Sequence, residues 1–434
     1  VLGQIERGEF EKQLPVSTTI FPKIINHRAL YLAMLLHDVG KGEGDQQILG
    51  AKAALKVCKR LELDEEETEL ITWLVGHHLI MSDTAQKRDL ADPSTIANFA
   101  AAVESLEKLR LLLALTVADI RAVGPGVWND WKAQLLRDLY KLSEAILRGG
   151  RADENSVRTV LANGAQSAKE LITKEPTSAA WFEEMDNSYW LGFASGQHFW
   201  HQQEVKKMLE AKKDIWVCSR IDENRGATEI MIIAPDREGL FKALTSSFAN
   251  HDANVLDARL FTTKNNHAFD VFAIQSIDGL AFGAQNPSRT TTLLAALSDA
   301  CVKIDVEVLK RHEKIARRIA AFHVEPIVIV DNHASQYDSV IEVSGRDRPG
   351  LLAQLAHVFQ DEALNITSAH IGGIGVRAQD AFYVRNRYGL KILEPHRIER
   401  LKNKIEEVLC FDEPQAPTLV SKRQLAKARA SLRR

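Results

Sequence analysis

The sequence predicts a multidomain α + α/β protein: an all-α block followed by two small domains of the order βαββαβ. Three observations predict it. Apolar residues recur at helical spacing through residues 1–150. A segment near residue 226 reappears at a constant offset of 111 residues, about the length of a small domain. In each copy, alternating strand patterns surround an amphipathic helix.

In the first block the helical spacing predicts helices over 28–37, 50–61, 66–81, 94–103, 105–121 and 128–147. Asp64 followed by Glu67 reads as a capping box, and Glu65 and Glu66 suit a positive helix N-terminus. "RGGRADENS" at 148–156 closes the block with a glycine stop and a charged linker. Residues 156–213 are helical and rich in aromatics (Trp181, Phe182, Tyr189, Trp190, Phe193, Phe199, Trp200), as a bridging layer would be.

The repeat carries the second half. Asp236, Arg237, Gly239, Leu240, Leu244, Phe248, Asn254 and Ala258 match Asp347, Arg348, Gly350, Leu351, Leu355, Phe359, Asn365 and Ala369. Strands are expected at 229–234, 254–262 and 267–275 in one copy, and at 339–344, 365–372 and 378–384 in the other. A second helix and a final strand complete the ferredoxin-like order. The expected domains are 1–150, a connector at 151–225, 226–333 and 334–434, the last with a basic tail (Lys422, Arg423, Lys427, Arg429, Arg433, Arg434).

Composition narrows the function classes. A chain of 434 residues exceeds one core. Its net charge of −3 gives no general attraction to nucleic acid or membrane. Cys58, Cys218, Cys301 and Cys410 are dispersed, which fits a reducing, cytoplasmic setting rather than a disulfide framework or zinc ribbon. No apolar run approaches the roughly 18 residues of a membrane span. The start at Val1, inside helical sequence and without a signal peptide, reads as a fragment lacking its N-terminal part.

The chemistry-bearing residues lie in the helical block. In "LLHDVGKGEGDQQ" an apolar helix ends at His37-Asp38. A buried carboxylate costs several kcal/mol unless a cation or donors compensate it. His78 in "LITWLVGHHLIM" and Asp119 in "LRLLLALTVADI" fall at helical spacing on apolar faces. Each alone reads as a satisfied core residue. Together they offer two imidazoles and two carboxylates, which suits Mn²⁺, Fe²⁺, Mg²⁺ or Zn²⁺ and an activated water. Lys41 could neutralise a phosphoryl oxygen. The expected chemistry is metal-assisted phosphoester hydrolysis.

His37-Asp38, Asp119 and the all-α context resemble the HD phosphohydrolase superfamily. "LLHDVGKG", "ILGA", "WLVGHHLIMS", "TAQKRDLADP", "LTVADIRAV" and "WNDWK" more closely resemble the bifunctional uridylyltransferase/uridylyl-removing enzyme family, whose members end in two ACT domains. The resemblance covers essentially the whole chain. It implies hydrolysis of uridylyl-tyrosine on the PII signal protein, with release of UMP. It also implies that His37, Asp38 and Asp119 hold a divalent metal, Mg²⁺ or Mn²⁺, with His78 at or near the site and Lys41 on the phosphate. The ACT pair would sense glutamine.

Three departures stand out. The family's nucleotidyltransferase signature is absent, so no uridylyl transfer is expected of this chain. The usual "GGDHS" is "GDQQ" here, with Gln46 in place of a His. The superfamily's first ligand His also comes from an earlier helix, whereas His27 shares a helix with His37, about 80° round from it. The rival readings are a glutamine-binding module without turnover and a (p)ppGpp hydrolase. Against the latter, the two repeats follow the helical block with no synthetase-like region between.

For the repeats, each Asp-Arg-x-Gly loop opens a helix whose bare N–H groups attract a carboxylate. Asp236 and Asp347 would either cap that helix or meet an α-amino group, and Gly239 and Gly350 would permit close approach. Asn254 and Asn365 open the next strand. These six are the candidate amino-acid contacts.

Overall fold

The computed structural model describes all residues except 43, 125–126, 151, 304–305, 307–323, 375–376 and 411–434; the basic tail therefore lies outside the described residues. The helical block contains α1 (Leu2–Glu6), α2 (Pro15–Ile20), α3 (His27–Leu36), α4 (Gln46–Arg60), α5 (Glu65–His77), α6 (Ile80–Lys87), α7 (Pro93–Val103), α8 (Leu106–Ala122) and α9 (Asp130–Gly149). Helix α8 is the axis, with Leu109, Leu112, Leu113 and Thr116 buried on several sides. The caps are those the sequence encodes: Asp64 accepts from Glu67 N–H at 2.8 Å, and Asp45, Asp92, Ser105 and Asn129 open their helices in the same way.

One expectation is corrected. The stretch 66–81 is not a single helix; it breaks after His77, and α6 restarts at Ile80. His78 Nδ1 bonds the carbonyl of Val75 at 2.7 Å, a local side-chain bond at the point where the α5 ladder ends.

The aromatic layer folds into α10 (Glu154–Ile172), α11 (Ala179–Glu183), α12 (Asn187–Gly192) and α13 (Ser195–Glu210). The repeats contribute β1 (Trp216–Asp222), β2 (Ala227–Pro235), α14 (Leu240–Asn250), β3 (Ala253–Thr262), β4 (His267–Ser276) and α15 (Pro287–Val302). The second copy adds β5 (Ile327–Asp331), β6 (Ser339–Arg346), α16 (Leu351–Asp361), β7 (Leu364–Ile374), β8 (Arg377–Asn386) and α17 (Pro395–Cys410). All strands join one eight-stranded sheet ordered β1-β2-β4-β3-β7-β8-β6-β5. The outer strand of each half precedes its helices rather than following them: β1 arises within the stretch read as connector. The strand after α15, β5, pairs with β6 of the second copy. A final strand after α17 would fall outside the described residues.

Strand alternation sorts the sheet into two faces. Ile230, Ile232, Phe272, Ile341 and Phe382 pack beneath α14, α15, α16 and α17. Met231, Ile233, Phe269 and Val271 pack against the aromatic layer through Phe182, Tyr189, Trp190 and Phe193. Among the described residues no helix is long and apolar enough to cross a membrane.

Candidate metal centre and effector cavity

The helical block brings four of the predicted residues together. His37 caps the end of α3, His78 caps the end of α5, and Asp119 lies on α8. His37 Nε2 stands 3.3 Å from Asp119 Oδ1 and 3.8 Å from Asp38 Oδ2. The His37 and His78 rings meet edge to face with centroids 5.4 Å apart. His77 turns away and stacks on Trp73. His27 packs on Phe21, outside this group.

The tautomers follow from the carbonyls. His37 Nδ1 lies 2.7 Å from Met34 O, and His78 Nδ1 lies 2.7 Å from Val75 O. A carbonyl only accepts, so each Nδ1 carries the hydrogen and each neutral Nε2 presents a lone pair to the site. At His37 that lone pair faces a carboxylate. Two acceptors in contact require a proton or a cation between them, and the Asp119 carboxylate indeed raises the His37 pKa, against the opposing effect of burial.

Around His78 the positive partner is an amide. Gln46 Nε2 donates to Asp38 Oδ1 at 2.7 Å and reaches His78 Nε2 at 3.2 Å. Asp45 caps α4, so Gln46 is its first residue, and its side chain turns back to the site. Lys41 Nζ lies 3.2 Å from Asp38 Oδ2 with its side chain 69% exposed, placed to meet an incoming anion. The donors suit a hard or borderline divalent cation. Among the described residues, however, no three or more His, Cys, Asp or Glu side chains already form a metal site. The contacts close instead around the His37–Asp119 pair and the Gln46 amide.

The second candidate site is a cavity of about 1410 Å³ at the seam between the two repeats. Strands β3 and β7 pair only at Asp257↔His370, Ala258↔Ala369 and Arg259↔Ser368. Beyond Arg259 they splay, and the cavity fills the notch between Leu260–Thr262 and Asn365–Thr367. Of the six predicted effector contacts, Asp236, Gly239 and Asn365 line it; Asn254, Asp347 and Gly350 do not. Gly239 and Gly350 both adopt left-handed φ (86° and 83°), as the loop requires. Asp236 does not cap α14; its Oδ2 accepts from the Thr262 hydroxyl at 2.7 Å.

Sequence reasoning missed the cavity's third wall, the turn between α6 and α7. Asp89 accepts from Arg259 Nη2 at 2.9 Å, and its N–H donates to the Tyr383 hydroxyl at 2.7 Å. Arg88 pairs with Glu342 at 2.6 Å. Asp92 accepts from the Ser335 hydroxyl and the Gln336 N–H. Helix α6 thus runs from beside His78 to a turn clamped on the sheet. The signal was the acid-rich string "RDLADP", whose partners lie about 170 to 290 residues away.

Comparisons with known proteins agree with this architecture. The HD domain family model matches residues 16–121, and the ACT domain family model matches residues 339–409. The bifunctional uridylyltransferase/uridylyl-removing enzyme of Caulobacter vibrioides is 42% identical over all of this chain, which covers 46% of that relative. The same-named proteins of Phenylobacterium zucineum (42%, all of this chain, 46% of the relative) and Azospirillum brasilense (42%, 94% of this chain, 44% of the relative) are similar too. The chain therefore spans about half the length of the curated relatives it matches. No solved structure matches. An HD-type helical domain, an ACT-type sheet and 42% identity over all of this chain place it in the bifunctional uridylyltransferase/uridylyl-removing enzyme family.

Proposed function

We propose that this chain is the uridylyl-removing and glutamine-sensing part of its family's enzyme, acting in the cytoplasm on uridylylated PII. The observation that carries the reading is the convergence of His37, Asp38, His78 and Asp119 from three helices and a turn. His37, Asp38 and Asp119 would hold a divalent metal, Mg²⁺ or Mn²⁺. When bound, that ion would supply Lewis acidity and lower the pKa of a water, so that its deprotonated form is available as the nucleophile.

The chain's own groups do the rest. Lys41, exposed beside Asp38, takes the charge of the phosphodiester and orients it. His78, held by Val75 O, keeps its Nε2 directed inward. A water oxygen bonds to phosphorus as the P–O bond to the tyrosine breaks, the proton that water loses is balanced by the one the phenolate takes up, and PII and UMP leave. Glutamine would bind in the seam cavity, through Asp236, Gly239 and Asn365.

Uridylylated PII, Mn²⁺ and this chain should release UMP, and glutamine should increase the rate. His37→Ala with Asp38→Ala should abolish release and lower the metal content of the purified protein; equal metal content in the two would defeat the assignment. A second reading has a specific observation behind it. The Gln46 amide bridges Asp38 and His78, which favours a glutamine-binding module without turnover. Glutamine binding by calorimetry with no UMP release would select it.

A further inference from the structure

The seam cavity is bordered by a side chain that the reading above leaves unused. Asp270 on β4 is 5% exposed and lies on the sheet face that carries Ala268 and Phe272 beneath the helices. It lines the cavity, yet no donor among the described residues bonds its carboxyl. A buried carboxyl without donors costs several kcal/mol and calls for an explanation. Burial, and then the charge of Asp236, push its pKa well above the ordinary carboxyl range. Asp236 lines the same cavity and engages Thr262 through Oδ2 alone, so Oδ1 accepts no bond among the described residues.

The second copy provides an internal comparison. Its counterpart Asp380 ("RAQD" against "HAFD") accepts from Gly372 N–H at 3.2 Å. Neither Asp380 nor Asp347 lines the cavity. The same carboxyl thus accepts a backbone N–H inside one copy and, among the described residues, faces the cavity without a donor in the other.

Two carboxyls at one end of a cavity suit a cation that brings several N–H donors. A bare divalent ion would want six or more oxygens in a tight shell, and this cavity is roomy and bordered by guanidinium groups. One of these, Arg387, makes no ion pair among the described residues and is available to a carboxylate. Opposite charges at separate walls, with splayed strand backbone between them, suit an α-amino acid.

We propose that Asp270, together with Asp236, binds the α-ammonium group of the effector and makes the first repeat the ammonium-recognising half of the cavity. The proposal rests on the reading of this cavity as the amino-acid site. It assigns binding to the "DREG" copy, although the "DRPG" copy is the one the family model matches.

Calorimetry on the whole chain tests it, with glutamine and with its deamino analogue 4-carbamoylbutanoate as ligands. The wild type should prefer glutamine by about tenfold or more, the worth of a hydrogen bond to a charged group. Asp270→Asn should bring the two ligands within roughly twofold of each other, while Asp380→Asn should keep the preference. Thermal unfolding reports whether each variant is folded; if Asp270→Asn is not, Asp236→Asn carries the same expectation. A wild-type preference retained in the folded variant overturns the proposal, as does a wild type that binds both ligands equally. A wild type that binds neither instead overturns the effector reading on which it rests.

Discussion

Gln46 Nε2 lies 2.7 Å from Asp38 Oδ1, and the same nitrogen reaches His78 Nε2 at 3.2 Å. A side-chain amide thus donates where the donor set around it would suit a cation. Replacing Gln46 by His exchanges that donor for a ligand. Gln46→His is expected to tighten Mn²⁺ binding by about tenfold or more, within the range by which neighbours of metal ligands tune affinity. Competition with a fluorescent chelator measures it. Unchanged affinity would mean that the amide is not what limits the site.

Gly40 sets how closely the turn after Asp38 approaches α4. A Cβ at this position would lie 2.5 Å from Gln46 O and 2.6 Å from Gly50 N, both backbone atoms that cannot turn aside. Gly40→Ala should therefore push α4 away, destabilise the block by about 1–3 kcal/mol and separate Gln46 from Asp38. Urea unfolding gives the first quantity. Weakened metal binding in the folded fraction checks the second.

Arg259 and Asp89 join the sheet to the helical block at 2.9 Å. Burial opposes the charge of Arg259, but Asp89 and Asp257 outweigh it and hold its pKa above the ordinary value. Asp89→Ala leaves the guanidinium with Asp257 at 3.7 Å as its remaining ion-pair partner. A loss of about 1–3 kcal/mol is expected, the consequence of stranding one half of a largely but not fully buried pair. Adding Arg259→Met should recover part of it. Denaturant unfolding of the four proteins of this cycle decides the coupling; strict additivity would show that the pair does not hold the domains together.

His198 and His201 lie fully buried against Tyr189, and His201 Nδ1 meets the Tyr189 hydroxyl at 3.0 Å. Burial pushes the His198 pKa down to about 4 and that of His201 well below its ordinary value. Both are neutral in the folded state, whereas the unfolded pKa is about 6.5. Their contribution is complete above that value and is lost as pH falls towards 4, on the order of 3 kcal/mol for His198. His198→Gln should flatten the stability profile between pH 6.5 and 4, read from urea midpoints across that interval. A profile as steep as the wild type's would place the acid sensitivity elsewhere.

Much of this protein was legible in local patterns. The 3.6-residue period located the helices, the repeat disclosed two copies of one domain, His78 and Asp119 announced themselves as polar groups on apolar faces, and His37-Asp38 as the polar end of an apolar helix. Such patterns record which side of an element is buried, because burial of each residue depends mainly on its own chemistry. They do not record what that side meets. Only the tertiary structure decided that α5 and α6 break at His78 and that the Gln46 amide bridges Asp38 and His78. It also decided that three of the six expected effector residues share one cavity, and that Asp89 finds Arg259 across 170 residues. Each of these depends on pairing and splaying between distant strands and helices, where the geometry of the partner, not the local sequence, selects the contact.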